Sequence, residues 1–416
     1  MAVRDFPGRG KVAVLRTTPE TVLEDYRRLM HLAGYQEALP KDVETILKIN
    51  ISWQTWYPAC STTPWQLEGV IRTLLDDGYR DLIAAQNNTV VVDAYVGERN
   101  NKHKYVVEKY GIRNVHLYEP QYNWVRYEPK QPFLVLDQVY PEGVYIPELL
   151  IGRNIIQMPT VKTHVFTQIT GAVKNAFGGL LGTKRHWTHA VIHETLVDLL
   201  MIQQDIHPGL FAVMDGTFAG DGPGPRAMRW HEKDIILASA DQVAIDAISA
   251  HLQGFDPLSI PFIRIAHEMG LGVGDPEQIE IVGEDRDWVM SQNWGFVQED
   301  TFASRGQKMI YHGPLKPFEH LLLRTPLVPW AYVASNFYHN VYWYPFVGRK
   351  RVERALETKW GRLFVDYGAD AGLRGVVMPG IEPRTAAIVL GGAALLVSGL
   401  LWGIWQLLKG RSDVGD

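Results

Sequence analysis

The strongest constraint in this sequence is the alternation of short apolar runs of strand length with amphipathic stretches of helix length. KVAVLRT at 11–17 precedes PETVLEDYRRLMHLAG, with Pro19 in the first turn and Gly34 at the stop, and TILKINISW at 45–53 follows. A strand, a helix and a strand in that order favour a parallel pair, because a right-handed crossover returns the second strand beside the first. Further strand-length runs recur at DLIAAQNN (81–88), NVHLYEP (114–120), NIIQMP (154–159), GLFAVMD (209–215), IILASA (235–240) and QIEIVGE (278–284). The expected fold is α/β, a largely parallel sheet flanked by helices. Its last strand places a boundary near Gly283, giving a main domain over 1–283.

In open α/β sheets ligands bind beyond the carboxyl ends of the strands, so polar residues just after apolar runs are the site candidates. Lys162, Thr163 and His164 follow NIIQMP, and ITGAVKNAFGG begins a helix or tight loop carrying Lys174 and Asn175. A helix start beside two lysines suits an anion. Lys48 lies inside the apolar run TILKI, where an ammonium is costly to bury without a partner; a strand-end position facing the cleft resolves the conflict. Asn50 and Thr62 fall at the same mouth, although a threonine before Pro64 also serves as a helix cap.

GLFAVMDGTFAGDGPGP presents Asp215 at a strand end, then a glycine- and proline-rich loop from 216 to 225 in which Gly220 and Gly222 expose backbone amides. The loop has neither the GxxxxGK[ST] order of a phosphate loop nor the GxGxxG of a dinucleotide site. Asp215 can equally close the loop through an Asx turn. His186, His189 and His193 recur at spacings of three and four, which on a helix lines one face and invites a metal. No HExxH pattern accompanies them, and Lys184 beside them favours an anion. Asp241 precedes a helical pattern as an N-cap does, whereas Asp246 is enclosed by Ala244, Ile245, Ala247 and Ile248.

The ordered motifs VKTH, ITGAVKNAFGGLLGTKRHWTH, DGTFAGDGPGP, LASADQVAIDAISAHLQGFDP and HEMGLGVGDPEQIEIVG, with KIN at 48–50 and STTPWQLEGVIRTLLDDGY at 61–79, resemble the family known as domain of unknown function 362. The resemblance spans 45–283 and implies a fold relationship without a reaction. Many members of that family also carry a ferredoxin-like segment with cysteine clusters. This chain has one cysteine, Cys60, so its own thiolates can ligate no iron–sulfur cluster and form no intrachain disulfide, and its cofactor stays unspecified. A net charge of −5 offers no general attraction to nucleic acid, which is not an expected partner.

Beyond Gly283 the character changes. Residues 284–384 are aromatic and basic by turns, which suits a membrane-proximal surface or an aromatic cover over the main domain. Residues 385–408 contain no charged residue, and at helical rise they extend about 36 Å, enough to cross a bilayer. Gly399 and Gly403 form the GxxxG spacing of helix dimers, and 409–416 is a short polar tail. MAVRDFPGRG has no apolar core of secretory length, so a single-pass protein with a cytoplasmic main domain is expected. Two functions fit. One is a membrane-tethered enzyme for an anionic small molecule, with His164, Lys162 and Asp215 catalytic and Lys48, Asn50, Thr62, Lys174, Asn175, Lys184, Gly220 and Gly222 binding the ligand. The other is a non-catalytic accessory protein of a membrane complex. The expected partners are the lipid bilayer, the anionic ligand, and a membrane protein or a second copy.

Overall fold

A computed structural model of the chain describes residues 5–87, 92–319 and 335–372. The apolar runs become strands β1 (Lys11–Arg16), β2 (Thr45–Ile49), β3 (Leu82–Gln86) and β4 (Arg113–His116). β5 (Trp124–Arg126) and β6 (Tyr145–Pro147) form a separate antiparallel pair. β7 (Asn154–Met158), β8 (Thr160–His164), β9 (Gln168–Ile169), β10 (Leu210–Asp221), β11 (Arg229–Ser239) and β12 (Glu280–Gly283) follow.

The described residues build a ten-stranded sheet in the order β12-β1-β11-β10-β7-β2-β3-β4, with β8 pairing β10 and β9 pairing β8. Pairing is parallel from β10 through β7, β2 and β3 to β4. β11 runs antiparallel to both β1 and β10. The sheet is largely parallel, as the sequence leads one to expect, and β11 together with the β8–β9 pair makes it mixed. The physical reason lies in the connection at 222–228, which contains no helix and is too short for a parallel crossover.

Two local readings change with it. The glycine-rich stretch after Asp215 is not a free loop, because β10 continues to Asp221 against β11 with a bulge between Gly216 and Phe218. Its glycines allow close packing: a Cβ on Gly220 would stand 2.5 Å from Met228 Sδ, and one on Gly216 2.8 Å from Ile235 Cγ2. Similarly, TVKTH is a strand rather than a turn. Pro159, which has no N–H for a ladder, separates β7 from β8, and the two run successively along β10, Ile155 opposite Leu210 and Thr160 opposite Asp215.

Strand alternation sorts the core into two layers. Val12, Val14, Ile46, Ile155 and Met214 face one side, under the helices Ile192–Ile206, Gln242–Gln253 and Pro261–Glu268. Ala13, Leu15, Leu47, Ile156 and Val213 face the other, under Val22–Leu32 and Pro64–Asp76. The second of these helices starts with a capping box in which Thr63 and Gln66 exchange hydrogen bonds. Asp241 caps Gln242–Gln253 by accepting from Val243 and Ala244 N–H, as its sequence position predicts.

Part of the aromatic segment joins the second layer. Trp343, Trp360 and Phe364 are buried there, Phe364 stacked on Trp56 at 4.2 Å and Trp360 on Trp65 at 5.4 Å. The Lys102 ammonium, buried and pushed down to about 8 by desolvation, donates to the carbonyls of Phe364, Val365 and Tyr367 at the end of the helix Lys359–Asp366. Lys102→Met leaves those carbonyls without their donor, at a cost of about 1–3 kcal/mol. Hydrogen exchange should accelerate at 359–367 before the sheet responds, whereas uniform acceleration would mean that Lys102 supports the whole domain rather than this helix.

Among the described residues no helix is long and apolar enough to cross a membrane. The single-pass localisation expected from sequence is corrected accordingly. The run 385–408, with Gly399 and Gly403, lies outside the described residues.

Candidate functional site

The carboxyl ends of β2 and β3 open into a cavity of about 230 Å³. Lys48, next to last in β2, shares the face of Ile46 and points its stem beneath Gly179, whose Cβ would come within 3.2 Å of Lys48 Cε. Its ammonium donates to the Ile49 carbonyl. Burial, with Arg185 adding repulsion, pushes the Lys48 pKa down to about 7.

Lys174 and Asn175 enter from the short helix Gly171–Asn175. Asp246 holds that helix, since its carboxylate accepts the Ala172 and Val173 N–H groups at 2.5 and 3.0 Å. Gly171, at φ +65°, has no room for a Cβ, which would lie 2.3 Å from Asp246 Oδ2. Burial pushes the Asp246 carboxyl up to about 8 against the pull of both amides. Asp246 thus sets where Lys174 stands without lining the cavity itself.

Asn50 and Asn175 form a fixed polar wall. Asn50 Nδ2 donates to Asn175 Oδ1 at 3.2 Å, and Asn175 Nδ2 donates to Lys48 O at 3.0 Å and Gln157 Oε1 at 2.8 Å. Lys162 stands behind this wall. Its ammonium donates to Asn50 Oδ1, Cys60 O and Thr160 Oγ1 at 2.7, 2.6 and 3.0 Å, and burial pushes it down to about 8. Lys174 makes no hydrogen bond to the described residues and lies 5.7 Å from the Phe177 ring centroid. Burial, then Lys162 and Arg185, pushes Lys174 down to about 7.

Arg185 and Arg226 complete the cationic lining. Arg185 donates to Leu181 O and Gly182 O, and Arg226 Nε donates to Ser52 O at 2.8 Å. No aspartate or glutamate is among the described residues around the cavity. Gln86, 3% exposed and also lining it, has an amide nitrogen without a hydrogen-bond partner among the described residues. A buried amide donor beside several cations suits an acceptor-rich group.

His186 and His189 line the same cavity. Each Nδ1 meets a carbonyl at 3.0 Å, Thr183 O and His186 O respectively. A carbonyl only accepts, so each Nδ1 carries a hydrogen, and in the neutral His189 ring Nε2 keeps its lone pair. Burial holds His189 down at about 4, neutral at physiological pH. The metal reading fails here. Residues Thr183–Val191 form a 3-10 helix, whose tighter winding aligns His186 with His189, while His193 belongs to the following α-helix and stacks on Phe262. Among the described residues no group of three or more His, Cys, Asp or Glu is placed to hold a metal.

The remaining sequence candidates disperse. His164 is buried outside the lining, its Nδ1 accepting from Phe166 N–H, and burial together with Lys174 holds it well below the usual imidazole range. Asp215 faces the opposite layer and accepts from Tyr26 Oη, Thr63 Oγ1, Trp65 Nε1, Thr217 N and Thr217 Oγ1 at 2.7–3.0 Å. Thr62 Oγ1 bonds Met158 O and receives Asn50 N–H. Gly220 and Gly222 lie at the β10 edge, Gly222 O accepting from Thr163 Oγ1. Lys184 projects outward over Trp187, 3.8 Å from Glu142. Arg185, Arg226, Gln86 and Phe177 are among the lining residues that the sequence reading missed. Arg185 carried a signal in the basic run KRH, and Gln86 one in the amide run QNN that ends DLIAAQNN.

Residues 45–251 match the family model described as Domain of unknown function (DUF362). They form a DUF362 family domain. The DUF362 domain supplies every cavity-lining residue named above, from Lys48 to Arg226. A thylakoid-associated protein of Synechocystis sp. is 26% identical over 187 residues, which cover 43% of this chain and 57% of that relative. No solved structure shows significant similarity to the chain.

Proposed function

We propose that the DUF362 domain binds an anionic small molecule in the cavity at the β2 and β3 ends and acts on it as an enzyme. The observation that carries this reading is the charge of the lining: Lys48, Lys174, Arg185 and Arg226 surround a space with no carboxylate. Burying several cations together is unfavourable on its own, and an anion among them would offset that cost while offering the Gln86 amide an acceptor. In a space screened from water, fixed cations and amides also stabilise negative charge that develops during a reaction. His189, neutral and with Nε2 as an acceptor, is suited to accept a hydrogen bond from a ligand hydroxyl or amine.

Sulfate, whose charge is constant near neutrality, is a direct probe in isothermal titration. Arg226→Gln should weaken sulfate binding at least about tenfold, the loss expected for one charge-assisted contact. Lys184→Gln, outside the cavity, should leave it unchanged. Equal losses from both variants would reduce the effect to general surface charge and remove the anion site. Sulfate binding without turnover of any anionic substrate class would favour the accessory role over the enzyme.

A further inference from the structure

Resting on the anion-site reading, we propose that Lys174 is an amine nucleophile that forms an imine with the carbonyl carbon of an anionic oxo compound, a 2-oxo acid or an aldehyde acid. The three lysines near the cavity differ in what their nitrogens do. Lys162 spends its three N–H groups on three protein acceptors and is fully buried. Lys48 donates to Ile49 O and is 5% exposed. Lys174 is half-buried, reaches the cavity, and is held by no hydrogen bond to the described residues. It alone combines access with a nitrogen free to turn toward a ligand.

Its surroundings suit that role. Desolvation and the neighbouring Lys162 and Arg185 cations hold a fraction of Lys174 as the neutral amine near pH 7, the way nucleophilic lysines are activated. Arg185, Arg226 and Lys48 remain to bind the carboxylate of the same molecule, which fixes the carbonyl beside the amine. The lysine lone pair forms the C–N bond while the carbonyl π pair moves onto oxygen. The two amine protons then leave with that oxygen as water, and the nitrogen pair closes the C=N bond. Nothing is oxidised or reduced.

The test uses the full chain with glyoxylate as the probe and cyanoborohydride as the trap, read by peptide mass spectrometry. Lys174 should gain one carboxymethyl group at least about tenfold faster than the exposed Lys184 at neutral pH, and excess sulfate should suppress that labelling. Lys174→Arg should abolish the fast labelling, and a denaturant melt matching that of the unaltered protein shows that the variant is folded. Trapping at Lys174 no faster than at Lys184, with sulfate binding intact, overturns the imine and leaves the anion site standing. Fast trapping at Lys48 instead overturns the assignment of the nucleophile. Loss of sulfate binding in the unmodified protein removes both readings together.

Discussion

Sulfate affinity should fall at least about tenfold between about pH 6.5 and 8.5, as far as a single titrating lysine requires, and further if Lys48 and Lys174 both contribute. The sign follows from their pKa values, each pushed down to about 7 by burial. Below pH 7 both are already ammonium and the anion meets preformed charge. Above it, binding must take up protons, so each added pH unit weakens it. Repeating the titration in buffers of different ionisation heat should show proton uptake near pH 8 and little at pH 6. The ligand-free fold has the opposite trend. Because the unfolded lysines keep pKa values near 10.5, the unfolded chain binds more protons between about pH 7 and 10.5, and these lysines' contribution to stability rises through that window. An affinity constant across this range would mean that neither lysine touches the anion.

Asp215→Ala should lower stability by about 3–5 kcal/mol, a large share of the roughly 5–15 kcal/mol that holds a protein folded, because it removes the acceptor shared by Tyr26, Thr63, Trp65 and Thr217 inside the second core layer. Asp215→Asn, which keeps one acceptor oxygen but turns an NH₂ toward donors, should lose a smaller part. Denaturant melts measure both. The folded fraction of either variant should bind sulfate as the unaltered protein does, since Asp215 lies outside the cavity. A well-folded Asp215→Ala that has lost sulfate binding would return the residue to the site where its sequence position suggests it.

That contrast marks how far the sequence could be read. A carboxylate ending an apolar run is equally plausible as a catalytic group and as a buried acceptor, and the two differ only in which face of the strand it occupies. Faces alternate residue by residue, so Asp215 with Val213 meets the Tyr26 layer while Lys48 with Ile46 meets the other. Lys48 was readable because an ammonium in an apolar strand demands a reason. Arg226 was not, since its place on the lining depends on the turn between β10 and β11, far along the chain from β2. The histidine spacing misled because a period of 3.6 was assumed where the chain winds at three residues per turn.

The sequence by itself determined the local elements of this protein: the apolar runs that become strands, the Thr63 and Asp241 caps, and the placement of Lys48 and Lys174 near element ends. These depend on propensities, hydrogen bonds and spacings within a few residues. Only the tertiary structure decided that β10 runs on through its glycines, that the sheet is mixed, and that Arg185, Arg226, Gln86 and two lysines converge without a carboxylate. Strand order and register are set by packing between segments far apart in the chain, and a one-residue difference in register carries a side chain from one face to the other.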